Sequence, residues 1–131
     1  MGRLVISCLM LATLLYAADG KRKPPKPPDL EVIELTARRT EGRILVDFRI
    51  RNSGLKTLEN VVVLLDFLAP ENKVVTTQRA EIEPAILDPG EEAEFHGQLR
   101  DPARAVRCRI NSQDGAGREL TVSGSGPFVI D

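Results

Sequence analysis

The chain has no tryptophan, one tyrosine, four phenylalanines, one histidine and two cysteines in 131 residues. Each scarcity removes a class of function. Sugars and unpaired bases are held on exposed flat rings, and Tyr16 lies in the leader while Phe48, Phe67 and Phe95 fall on inward strand positions. His96 has no second imidazole to share a metal with, and no second base with which to build a histidine-dependent triad. With Cys8 in the leader, Cys108 is left alone, so no intrachain disulfide framework is expected. No Asn-x-Ser/Thr sequon occurs, which together with the missing disulfide suits a bacterial periplasmic setting. No window repeats with a helical period, and the longest apolar run, Leu4 to Ala18, is 15 residues. That is short of the ~20 an α-helix needs to cross a membrane.

What the first residues do have is order. Arg3 precedes the apolar run, and the small residues Ala17, Ala18 and Gly20 follow it. Charged start, apolar middle and small-residue exit define a secretory signal peptide. Residues 1–18 are expected to be removed, with the cut as late as 20. Cys8 does not make this a lipoprotein signal, because only four residues separate it from Arg3. An uncleaved leader acting as a membrane anchor is the alternative.

Residues 19–29 form a basic, proline-rich linker. Lys21 to Pro28 reads KRKPPKPP, with four prolines in five positions. Proline at this density stops a helix and favours polyproline II, a semi-rigid spacer of ~25 Å at ~3.1 Å per residue. From Glu31 onward 13 basic residues face 17 acidic ones, a net charge of −4. Nucleic acid is therefore not an expected partner, since its binding needs clustered positive charge.

From residue 30 the hydropathy alternates with period 2, the signature of half-buried strands. Ile44, Val46, Phe48 and Ile50 share one face, with Arg43, Asp47, Arg49 and Arg51 on the other. Asn52-Ser53-Gly54 closes that strand. Asn60 to Leu68 is almost wholly apolar and β-branched, as suits a central strand covered on both faces. Lys73 to Arg79 is the next strand. Asp88-Pro89-Gly90-Glu91 predicts a type II turn, with Pro89 at the first corner and Gly90 at the positive φ. Ala93, Phe95, Gly97 and Leu99 then alternate with polar residues. Val106, Cys108 and Ile110 form an inward face, and Leu120 and Val122 share one in Glu119 to Ser123. Leu30 to Ala37 supplies the first strand through Ile33, Leu35 and Ala37, and is expected at a sheet edge. About seven strands with turns between them predict an all-β fold over residues 30–131: a single antiparallel immunoglobulin-like β-sandwich.

Several segments carry a family likeness. Phe48-Arg-Ile-Arg-Asn-Ser-Gly54, Val61-Val-Val63, Leu65-Asp-Phe-Leu68, Asn72-Lys-Val-Val75 and Leu87-Asp-Pro-Gly-Glu91, with Phe95 beyond, together resemble the FxLYD family and related bacterial immunoglobulin-like domains over residues ~43–112. Phe67-Leu68-Ala69 stands where the family has Tyr and Asp after its Phe. The resemblance implies a small extracytoplasmic module and supplies no catalytic residue.

The candidate chemistry is thin. His96 is expected on an outward face beside Glu94 and Gln98, without co-ligands. Cys108 is expected to be buried and unreactive. Asp88, Glu91, Glu92 and Glu94 read as a solvated acidic turn rather than a Ca²⁺ site. Ser123-Gly-Ser-Gly126 lacks the strand–turn–helix setting of a nucleophile elbow and reads as a flexible exit from the last strand. Arg49, Arg51, Arg107 and Arg109 make a basic stripe only if their strands share a sheet, which the immunoglobulin order does not allow.

The expected function is that of an exported, non-enzymatic β-sandwich module for protein–protein contact or envelope assembly. A membrane-tethered accessory subunit held by an uncleaved N-terminal helix is the alternative. No cofactor and no metal are expected, and the sequence assigns no catalytic or binding residue. The protein partner in the envelope is not identified, and a membrane partner enters only with a retained leader. The exported protein should begin between Ala18 and Lys21 by N-terminal sequencing or intact mass. A full-length species that resists alkaline extraction from the membrane would instead establish the anchor.

Overall fold

The computed structural model describes residues 26–131; the expected signal peptide and most of the linker lie outside the described residues. The strands are β1 (Leu30–Thr40), β2 (Arg43–Asn52), β3 (Val62–Ala69), β4 (Lys73–Glu81), β5 (Glu92–Arg100), β6 (Arg107–Gln113), β7 (Glu119–Leu120), β8 (Val122–Ser123) and β9 (Phe128–Val129). They form two sheets, ordered β5-β2-β1-β8 and β4-β3-β6-β7, with β9 also pairing with β6. The fold is an immunoglobulin-like β-sandwich. All strand pairs are antiparallel except β1 with β8.

The alternation in β2 places its residues as expected. Ile44, Val46 and Ile50 are fully buried and Phe48 nearly so. Burying such a side chain contributes about 1.5–3 kcal/mol, so this one face is a large part of the core. Across from it stand Val63, Leu65 and Phe67 of β3 and Cys108 and Ile110 of β6, all buried in the same cluster. β3 lies between β4 and β6, which explains its near-continuous apolar run. On its outer face Asp66 is buried, accepting hydrogen bonds from Thr77, Arg109 and Asn111.

Four expectations about strands are corrected. In β1, Leu30 and Val32 are buried before a register shift between Val32 and Glu34, and Ala37 after it. Ile33 is the extra residue of a bulge and is 36% exposed; one inserted residue flips every later side chain to the other face. β1 is also not an edge. β8 pairs with it at Leu30 and Glu31, and Ile130 bridges to Ala37. Val106 is 37% exposed rather than inward, because the β6 ladder begins only at Arg107. Finally, Glu119 to Ser123 is not one strand. Leu120 pairs with Ser112 in one sheet and Val122 with Leu30 in the other, so the chain changes sheets at Thr121. Ser123 to Gly126 then carries it back, Ser125 accepting a hydrogen bond from the Ile110 amide, and β9 follows. That segment is a built crossing, not a flexible exit.

The turn residues do more than reverse the chain. Gly90 has φ +87° and the Glu91 amide donates to the Asp88 carbonyl, as the type II turn requires. Asn52 is 1% exposed. Its side-chain amide donates to the Lys56 and Leu87 carbonyls, 2.8 Å each, and its Oδ1 accepts from the Gly54 amide at 3.0 Å. Its backbone bonds to Glu91 and Gly90. The Asn-Ser-Gly and Leu-Asp-Pro-Gly-Glu segments, 35 residues apart at Asn52 and Leu87, are thus two halves of one structure.

Removing that amide leaves the Lys56 carbonyl and the Gly54 N–H without their partner and takes one of two donors from the buried Leu87 carbonyl, which keeps the Leu58 amide. Asn52→Ala should therefore cost about 2–4 kcal/mol. Asn52→Asp should cost nearly as much, because a carboxylate cannot donate to Lys56 or Leu87. Chemical denaturation of both variants checks this; an Asp variant as stable as the parent would show that the two donor bonds contribute little.

Candidate functional site

The sequence-expected candidates scatter. Cys108 is fully buried, and burial pushes its thiol up to about 11, so almost no thiolate exists at neutral pH. Asp88 accepts from the Thr57 hydroxyl and Glu91 from the Asp88 amide, whereas Glu92 pairs with Arg49 and Glu94 with His96. The acidic residues are thus spent on separate partners. Among the described residues no three His, Cys, Asp or Glu side chains are grouped to hold a metal ion, and no helix is long and apolar enough to cross a membrane. Arg49 and Arg51 lie in one sheet and Arg107 and Arg109 in the other. Arg49 meets Glu34 and Glu92, Arg51 meets Glu31, and Arg109 meets Asp66.

His96 does lie on the outward face, but it is not idle. It stands directly opposite Asp47 across β2 and β5. Its Nδ1 is 2.8 Å from Asp47 and its Nε2 3.2 Å from Glu94. Hydrogen bonds to the two carboxylates, Asp47 foremost, raise its pKa above the ordinary histidine value.

What sequence reasoning missed is the open side of the sandwich, where β4 ends one sheet and β5 ends the other. The two edges are treated differently. On β5, Glu83 bridges to Glu94, and the Gln78 side chain takes both backbone groups of Arg100: Nε2 donates to its carbonyl at 2.8 Å and Oε1 accepts from its amide at 3.2 Å. Alternate residues of a strand turn their N–H and C=O to the same side, so only His96 and Gln98 remain open between those anchors. Phe95 faces inward here, stacked on Phe48 at 5.1 Å between ring centroids, its ring folded over Gly97. On β4 eight of nine residues pair with β3 on one side, Val75 being the extra residue of a bulge, and among the described residues no strand pairs with the other. Val74 to Gln78 carry no charge and are rich in β-branched residues, with Lys73 and Arg79 flanking them. The remaining edges are short: β7, β8 and β9 have two residues each.

Two clefts run along this side. One, of about 810 Å³, has Glu81, Glu83 and Glu94 with Arg79 and His96 in its wall and Ile82 and Phe95 at its apolar part. The other, of about 530 Å³, is lined by Arg43, Arg79 and Arg100 with Thr76, Thr77, Gln78 and Pro102. No reactive nucleophile faces either one; the arrangement offers backbone hydrogen-bonding groups and charge. Alternation marks which side chains face out. It does not reveal which strands end the sheets, so nothing in the sequence singled out this side.

No family profile and no curated protein matches the chain. Among solved structures it is similar to one from Bordetella pertussis bearing the name ApaA, at 19% identity and a TM-score of 0.45, over 79% of this chain and 100% of that one. A likeness at that level carries no inference about chemistry.

The His96 contacts make a pH prediction. The folded-state pKa lies above the unfolded value of about 6.5, so protonated His96 favours the fold. That stabilisation is complete below the unfolded pKa and is lost as pH rises through the folded one. Between pH 5.5 and 8.5 the parent should lose some stability that His96→Gln does not lose. Parallel denaturant melts check this, and identical slopes would remove His96 from the pH response.

Proposed function

We propose that this chain is an exported, non-catalytic β-sandwich module that contacts a protein of the cell envelope by accepting one of its strands along β4. The observation that carries the reading is the β4 edge, nine residues long and uncovered on one side. An open edge presents a row of unpaired N–H and C=O groups, and a partner strand gains a hydrogen bond at every second residue. Each contributes about 0.5–1.5 kcal/mol net, so a few pairs make a specific, reversible contact. Among the described residues the β5 edge is capped at both ends and β7, β8 and β9 are two residues long, which concentrates this capacity on β4. Lys73 and Arg79 flank it as charges that discourage indiscriminate stacking. The secretory leader read in the sequence supports export, and the likeness of residues ~43–112 to FxLYD-like modules fits an extracytoplasmic setting.

Thr76→Pro and Thr77→Pro test this together. Adjacent residues turn their amides to opposite sides, so one of the pair loses a β3 bond and the other a free edge donor, and Thr77→Pro in addition loses its hydroxyl's bond to Asp66. Thermal melting identifies the variant that stays folded. That variant should lose, by about tenfold or more, the envelope proteins that the parent captures in cross-linking. A folded variant that retains every partner overturns the reading.

A further inference from the structure

We propose that the strand β4 accepts is an acidic one, whose carboxylates enter the cleft formed by Arg43, Arg79 and Arg100; this rests on the strand-addition reading above. Arg43 and Arg100 are directly opposed at the end of the β2–β5 ladder. Like charges in that position destabilise a sheet unless something neutralises them. Among the described residues neither has a carboxylate within salt-bridge distance, and Arg79 reaches only Glu81, at 4.0 Å with both side chains more than half exposed, a contact of negligible strength. The cleft these three share has no acidic residue in its lining.

Five of the eight other described arginines are matched. Arg39, Arg49, Arg51, Arg109 and Arg118 each meet a carboxylate at 3.4 Å or less. Arg38, Arg104 and Arg107 also meet no carboxylate among the described residues, but they do not line this cleft; Arg43, Arg79 and Arg100 share it beside the open edge, with Lys73 at the start of the same strand as Arg79. Asp101, next to Arg100, is turned away to Arg39, whose Nε donates to it at 2.6 Å. The cluster thus keeps an uncompensated charge that the domain has the carboxylates to cancel.

Two observations make the occupant a peptide rather than another polyanion. The Gln78 amide already sits on both backbone groups of Arg100, so the β5 edge beside the cleft holds an amide as a peptide would present it. The free groups of β4 likewise match a peptide backbone, whereas a phosphodiester chain has no N–H to offer them. The far end of the open side reverses sign with Glu81, Glu83 and Glu94. A strand bound here therefore carries its acidic residues toward Arg43 and neutral or basic ones toward Glu81, which fixes its orientation as well as its charge.

The test uses the exported form, isotopically labelled, and two capped peptides of alternating Thr and Val. One carries glutamates in one half; the other has Gln in their place. The Glu peptide should bind about tenfold more tightly than the Gln peptide, lose that advantage in high salt and shift the amide resonances of Thr76 to Glu81. Arg43→Gln with Arg100→Gln should abolish the difference without lowering the thermal midpoint, because it removes opposed like charges rather than a packed contact. Equal binding of the two peptides, or an undiminished preference in the double variant, overturns the inference. So does tighter arginine-dependent binding of oligothymidylate or anionic vesicles, or an arginine-dependent dimer in sedimentation, each of which assigns the cleft elsewhere. If neither peptide prefers charge while the folded proline variant still loses its partners, acidity fails and strand addition stands. If the Glu peptide binds the folded proline variant as well as the parent, strand addition fails and this inference with it.

Discussion

The buried amide of Asn52 is the constraint on which the open side depends. It is a polar group in the interior whose donors and acceptor are all matched, by Lys56, Leu87 and Gly54. A buried polar group is tolerated only under that condition, so the loop after β2 and the turn before β5 are held to one arrangement. The start of β5 is thereby fixed against the end of β2. From there the antiparallel register determines the rest. Ala93 falls on Ile50, Phe95 on Phe48, His96 on Asp47 and, at the far end, Arg100 on Arg43. A slip of one residue would turn Phe95 outward and separate the two arginines. The stacked rings and the opposed charges follow from one clamp.

The sandwich then has to manage its edges, and it does so unevenly. β1 is covered at its start by β8, bulged at Ile33 and covered again at Ala37 by Ile130. β5 is closed by Glu83 at one end and by the Gln78 amide at the other. A side chain serving as a strand is a compact way to satisfy an edge, and it also ties β4 to β5 across the mouth of the sandwich. β4 is bulged at Val75, but among the described residues it is neither capped nor covered, although its β-branched, uncharged middle makes it the edge most in need of cover. Long open edges are an aggregation liability that folded proteins usually blunt. Leaving this one open while closing the others is consistent with its use.

Much of the fold was legible because it is written in short-range pattern. Ile44, Val46, Phe48 and Ile50 announced a buried face, and Asp88-Pro-Gly-Glu91 announced its turn, because period and turn chemistry act over a few residues. The errors occurred where a distant partner decides. The bulge at Ile33 depends on how β1 meets β2, and the sheet change at Thr121 depends on whether Leu120 and Val122 find β6 or β1. Phe128 and Val129 make a two-residue strand only because Cys108 and Arg107 are beside them. Such short segments have no period of their own to detect.

The candidate site was illegible for the same reason in a stronger form. Arg43, Arg79 and Arg100 lie on three strands and two sheets, and each looks in sequence like an ordinary solvated charge at a strand end. Counting charges pointed the other way, since the body is net acidic. What distinguishes these arginines is an arrangement: two opposed across a ladder, a third beside the glutamine that bridges the sheets, and Asp101, next to Arg100, engaged by Arg39. Net charge governs solubility and long-range approach, whereas recognition is decided by charges that remain unmatched where backbone groups are also free. In this domain those two conditions coincide along β4, and the clamp at Asn52 is what makes them coincide.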